Sequence, residues 1–274
     1  GFTNLGSLLM RLGLAYDSEI ARTWAAALSA LMSGMAWYTS TEMSEIAGPF
    51  PAWRKNRRSV ERVLSQHAEY VWKVNWADLS PDFASLAEEL WTDVLRRNRK
   101  FGVRNAQTTA IAPTGTIGLL MDCDTMGIEP DYALVKVKKL VGGQSRQIVN
   151  EAIVPSLKRL GYSDSDIQRI QSSILKNGDV AVDTPIRPEH LPIFATATGQ
   201  NPISPEAHLK MMAAVQPFIS GAISKTVNLP ASATVDDVSR IYWQAWELGL
   251  KSISIYRNGS KATQPLGASP PVSQ

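Results

Sequence analysis

The chain has 274 residues, 44% of them hydrophobic and 19% charged. That is enough for one large domain or two ordinary ones, with the composition of a globular protein that buries a sizeable core. A net charge of +3 and a pI near 8.9 do not call for nucleic acid as a partner. A single cysteine, Cys123, excludes an internal disulfide and any cysteine-only metal site within the chain, and it suits a reducing cytoplasm.

The chain opens Gly1-Phe2-Thr3-Asn4-Leu5-Gly6, with neither an initiator Met nor the basic-then-apolar build of a signal peptide. It reads as cut from the middle of something longer. Asp17 or Ser18 is the expected N-cap of a helix running to about Ile46, with Ala21, Trp24, Ala25, Leu28, Leu31, Met32 and Met35 spaced by three and four. This helix contains the longest uncharged stretch, Thr23 to Thr41. Trp37, Tyr38 and several serines make that stretch a buried helix rather than a membrane span. Gly48-Pro49-Phe50-Pro51 ends it. A second helix is expected from Arg54 to Trp76 and a third from Pro81 to about Lys100.

Residues Thr108 to Ala112 form a strand-like apolar run that breaks at Pro113. The chain then enters Thr114-Gly115-Thr116-Ile117. Such a turn can cradle an anion: the glycine admits a close approach, the two hydroxyls can donate, and successive N–H groups can converge on phosphate oxygens. The plain alternative is an ordinary turn after a strand.

Ala133 to Val141 alternates as a strand, closed by Gly142-Gly143. Helices are expected from Ser145 to Leu160 and from Ser163 to Lys176, the latter on an acidic first turn. Asn177 to Gln200 reads as an irregular connection. Ser204-Pro205-Glu206 starts a helix to about Pro217. Thr234 opens the last helix, to Leu248, and Ser252 to Tyr256 is a short strand. Helices separated by strands argue for an α/β fold with crossover connections. Residues 1–266 read as one partial domain and 267–274, rich in Pro and Ser, as a disordered tail.

Several other residues have two readings. Lys225 reads as a structural lysine bonding carbonyls near a strand, with an anionic substrate as the alternative. Glu129 reads as a carboxylate accepting backbone N–H bonds in a turn, with acid/base chemistry second. His67 and His208, on helices, have no second ligand at metal spacing, and His190 in a proline-rich loop with Glu189 is an equally weak signal. Lys136, Lys138 and Lys139 are either a basic rim for phosphates or a solvated strand edge. Cys123 reads as a packing residue.

Four blocks, in order, resemble the catalytic barrel of ribonucleotide reductases, most of all the adenosylcobalamin (vitamin B12)-dependent class II enzymes. The first is Arg104-Asn105 through Ala112-Pro113-Thr114-Gly115-Thr116-Ile117, and the second runs from Asp122 through Gly127-Ile128-Glu129-Pro130-Asp131. The third is His208 through Ser224-Lys225-Thr226-Val227-Asn228-Leu229-Pro230, and the fourth is Gly249-Leu250-Lys251-Ser252 to Lys261. The resemblance implies the later part of the family's ten-stranded α/β barrel, helix-rich. It implies that Pro113, Thr114, Gly115, Thr116 and Ile117 hold the phosphates of a ribonucleoside di- or triphosphate. It implies reduction to 2′-deoxyribonucleotides for DNA synthesis, with adenosylcobalamin as radical source and a thioredoxin-type reductant. Nucleic acid and membrane are not expected as partners.

The family's radical cysteine, the Asn and Glu flanking it and the reducing cysteine pair have no counterpart in this sequence, so no catalytic or metal-binding residue is assigned. Cys123 matches none of those roles. The chain by itself is therefore expected to be inactive, with the reactive thiols upstream of Gly1. A non-catalytic nucleotide-binding remnant of the same fold is the alternative. The iron-dependent class relays a radical through two adjacent tyrosines near its last strand. Here that place holds Ile255-Tyr256, and a hydrocarbon cannot pass an electron and proton, which favours cobalamin.

Overall fold

The computed structural model describes residues 1–139, 145–180, 184–261 and 267–268. In chain order the elements are α1 (Leu5–Arg11), α2 (Glu19–Ala47), α3 (Trp53–Val71), α4 (Pro81–Phe101), α5 (Gly115–Leu120), β1 (Val135–Lys139), β2 (Ser145–Val149), α6 (Ile153–Arg159), α7 (Asp164–Asn177), α8 (Pro205–Val215), β3 (Thr226–Leu229), α9 (Val235–Glu247), β4 (Ser254–Arg257) and β5 (Gly267–Ala268). The chain divides into two compact units, one of residues 1, 22–111 and 211–223, the other of 2–21, 112–210 and 224–274. No described helix is long and apolar enough to cross a membrane.

The first unit is helical. Its core gathers Trp37, Leu64, Ala68, Val71, Trp91, Val94, Val103 and Phe218. Burying large aromatics such as Trp91 supplies much of its stabilisation, and the indole N–H of Trp91 is satisfied by the Ala30 carbonyl at 3.0 Å. The strand expected over Thr108–Ala112 is reduced to one parallel bridge, Ile111 with Ile223. The reason is local. The Ser220 hydroxyl accepts from the N–H groups of Thr108 and Thr109 at 3.0 and 2.9 Å, so a side chain takes the place of a ladder partner.

The second unit carries the sheets. β1 pairs antiparallel with β2, Val135 opposite Val149, and with β5, Lys136 opposite Ala268. This corrects the helix expected to start at Ser145: residues 145–149 are a strand, and helix begins only at Ile153. The expected Leu140-Val141 strand end and its Gly142-Gly143 stop lie outside the described residues. Of the expected tail, Gly267-Ala268 forms β5 and residues 269–274 lie outside the described part.

A core of Leu134, Val135, Ile153, Leu157, Ile167, Ile170 and Ile174 packs α6 and α7 with β1. β3 and β4 pair in parallel, Thr226 opposite Ser254 through Leu229 opposite Arg257. α9 lies between them in the chain, so these three form a strand–helix–strand crossover. A capping box of Thr234 and Asp237 starts α9. Leu209, Val227, Leu229, Ile241 and Ala245 fill its interior.

Candidate functional site

The turn singled out in the sequence lies at the start of α5. Pro113, Gly115, Thr116 and Ile117 are exposed and Thr114 is half-buried. Thr114 is the N-cap and adopts a left-handed conformation, φ 49° and ψ 27°. That is rare for a β-branched residue and persists only where neighbours hold it. Here they do. The hydroxyls of Thr3 and Thr114 lie 2.8 Å apart, and the Gly127 N–H donates between them at 2.8 and 2.9 Å. Asn4, itself left-handed at φ 69°, accepts from the Thr125 N–H at 3.0 Å. The Thr114 hydroxyl is thus bonded within the protein, to Thr3 and to the Gly127 N–H, as an anchor.

The N–H groups of Gly115, Thr116 and Ile117 are a different matter. As the first residues of a helix they have no intrahelical acceptor, and among the described residues none accepts from them. Nor does the Thr116 hydroxyl have a described partner. Gly115 is not demanded by the fold. Its φ is ordinary, and a Cβ there would meet only the Met126 sulfur, at 4.0 Å. The region thus presents an exposed, preformed row of donors and a residue without a side chain beside it.

Further into the second unit lies a buried charged cluster. The Lys225 ammonium donates to Glu129 Oε2 at 2.6 Å, to His208 Nδ1 at 2.7 Å and to the Thr226 carbonyl at 3.2 Å. Glu129 Oε1 accepts from the Thr226 N–H at 2.6 Å. The Tyr16 hydroxyl donates to the Ile128 carbonyl at 2.6 Å. Burial pulls the Lys225 pKa down, and the Glu129 charge and hydrogen bond oppose it. Burial, then the Lys225 charge, holds His208 well below the usual histidine range. Burial, then Glu129 and Asp17, pushes the Tyr16 phenol up. Lys225 does bond a carbonyl and Glu129 does accept a backbone N–H. The direct pairing of the two, 96 residues apart, has no signature in the sequence.

The remaining residues are engaged elsewhere. Lys136 turns inward to the buried Asp131 carboxylate at 2.6 Å and to the Asp124 carbonyl, so it belongs neither to a basic rim nor to a solvated strand edge. Burial lifts the Asp131 carboxyl above its ordinary range while Lys136 and Asn150 counter it. His67 Nδ1 meets the Pro217 carbonyl and His190 Nδ1 the Tyr162 hydroxyl. Among the described residues no group of three or more His, Cys, Asp and Glu side chains could hold a metal ion. Ile255 packs against the core beneath α9. Arg104 bonds the Gly48 and Pro49 carbonyls, and Asn105 exchanges bonds with the Ser40 hydroxyl.

The family model described as ribonucleotide reductase, barrel domain, matches residues 1–256. The chain belongs to that family. Its fold is similar to that of the Actinobacillus ureae class Id ribonucleotide reductase alpha subunit, with a TM-score of 0.61 at 19% identity, covering 94% of this chain and 38% of that one. In sequence it is 50% identical over 270 residues to a vitamin B12-dependent ribonucleotide reductase of Streptomyces coelicolor. It is 48% identical over 274 residues to a protein of the same name from Streptantibioticus cattleyicolor. The chain spans 28% and 45% of those two relatives' lengths.

Proposed function

We propose that this chain is the later part of a ribonucleotide reductase barrel and that Pro113–Ile117 grips the phosphates of a ribonucleoside di- or triphosphate. The observation that carries the reading is the exposed row of N–H groups at Gly115, Thr116 and Ile117, left without acceptors at a helix start. Thr116 adds a hydroxyl, and Gly115 leaves room for an oxygen to approach. The Thr3–Thr114–Gly127 bonds hold the row in place before a ligand arrives, so little ordering is required on binding.

The reaction replaces the ribose 2′-hydroxyl by hydrogen, expels water and takes two electrons from a cysteine pair that closes to a disulfide. One cysteine, Cys123, cannot be both radical carrier and reducing pair. The reading therefore places the reactive thiols on polypeptide outside these 274 residues, and these residues alone turn over no substrate. A thioredoxin-type dithiol reopens the disulfide, in a cytoplasm whose reducing character suits a lone thiol. The relatives' names support adenosylcobalamin as the group that supplies the radical in the complete enzyme. The described residues offer it no recognisable contact. His67 and His208 are buried, and His190 holds Tyr162.

The second reading is a nucleotide-binding remnant that keeps the fold without the chemistry, which the missing Asn-x-Cys-x-Glu signature favours. Full-length protein supplied with a ribonucleotide, adenosylcobalamin and a dithiol decides between them. The enzyme reading expects deoxyribonucleotide and loss of activity on Gly115→Val through a raised KM. The remnant reading expects nucleotide binding without product.

A further inference from the structure

Lys225 is among the largest fully buried side chains of the chain, and its three donors are all used. An ammonium only donates, so His208 Nδ1 accepts and the imidazole proton lies on Nε2. Glu129 bonds the start of β3 twice, through the Lys225 ammonium and the Thr226 N–H. Its own N–H closes a turn onto the Met126 carbonyl at 2.8 Å. Inside that turn Gly127, at φ 51°, points its N–H at the hydroxyls of Thr3 and Thr114. α1 abuts the same turn without a side chain: a Cβ on Gly6 would stand 2.6 Å from the Glu129 carbonyl oxygen. One continuous series of bonds thus leads from β3 through Glu129 and Gly127 to the left-handed Thr114.

We propose that Lys225 and Glu129 are positioning residues for the Pro113–Ile117 cradle: their ion pair fixes the Met126–Glu129 turn, and the turn fixes Thr114. This rests on reading that cradle as the phosphate site. Both Glu129 oxygens already accept hydrogen bonds, so the carboxylate acts through the turn rather than on substrate. The pair works as a unit. Without Lys225, Glu129 is a half-enclosed anion drawn toward solvent, and the turn that carries Gly127 loses its charged tie to β3 and holds Thr114 less firmly.

The test uses the full-length protein and the probes CDP and CTP, with binding measured by calorimetry and turnover measured alongside. Lys225→Met is expected to weaken binding of whichever nucleotide the wild type takes by about tenfold, which is 1.4 kcal/mol, and to raise KM while leaving kcat within about twofold. The double variant Lys225→Met/Glu129→Gln restores a neutral pair and keeps the acceptor for Thr226, and it carries the test should the single variant fail to fold. It is expected to bind with an intermediate loss. Gly115→Val is run in parallel. If it weakens binding while the Lys225→Met and double variants, both folded, bind as wild type, the positioning role is overturned and the cradle stands. If Gly115→Val binds normally, the cradle fails and the positioning role falls with it. A drop in kcat at unchanged KM in the Lys225 variants also contradicts it.

Discussion

The Pro113–Ile117 turn and the Glu129–Lys225–His208 cluster lie in the same unit and handle their polar groups in opposite ways. In the cluster every ammonium proton and both carboxylate oxygens are committed to other parts of the protein. In the turn three backbone N–H groups and a threonine hydroxyl are committed to nothing among the described residues. Buried charge must be matched or it destabilises the fold. Exposed donors at a helix start need no match from the protein, because water supplies it, while Thr114 beside them keeps a strained left-handed conformation. The contrast separates polar groups that hold the molecule together from those that the proposed function assigns to a ligand.

The largest expected effect lies in the cluster. Lys225→Met leaves Glu129 without its cation. Because the Glu129 side chain keeps 23% exposure, the cost falls at the low end of the range for breaking buried pairs, about 3 kcal/mol. Read as hydrogen exchange at the Thr226 amide, that is about a 100-fold loss of protection. Unchanged protection would break the comparison from the structural side. Next is Gly115→Val. Space beside Gly115 is open, so stability should move by less than about 1 kcal/mol, while KM in the complete enzyme rises about tenfold or more.

Thr114→Gly sharpens the division further. It removes a left-handed penalty of about 1–2 kcal/mol and two hydrogen bonds of about 1 kcal/mol each. The melting temperature should barely change while nucleotide affinity falls. The smallest effect is one of pH. Folded His208 resists protonation, whereas its unfolded imidazole takes up a proton below about pH 6.5. The unfolded state then binds more protons, so stability declines as pH falls through that value and is unaffected above it. His208→Gln keeps an acceptor for Lys225 and should flatten the melting temperature between pH 7 and 5.

The amphipathic helices were legible because their signals are local. Three- and four-residue spacing marks α2 to α4, and Ser163 and Thr234 cap α7 and α9 as their sequences suggest. The reading failed where a distant partner decides. Ile148, Val149, Ile153 and Leu157 can be spaced along a helix, but β1 claims Ser145–Val149 as a strand. Thr108–Ala112 looks like a strand, yet Ser220 occupies its N–H groups. β3 has no bounds in the sequence reading, which places only a strand near Lys225. At the site, the glycine and threonines of the turn stood out by residue type. That Thr114 is an anchor, held by Thr3 and Gly127, depends on contacts spanning 111 residues, and no local pattern carries them.

The central claim is that the α5 start reads the phosphates of a nucleotide and nothing else of it. The direct measurement is the binding of cytidine against its di- and triphosphate to full-length wild type and Gly115→Val. The account predicts that cytidine binds the two proteins alike and that the affinity added by phosphate collapses in the variant. An undiminished phosphate contribution in Gly115→Val would contradict it.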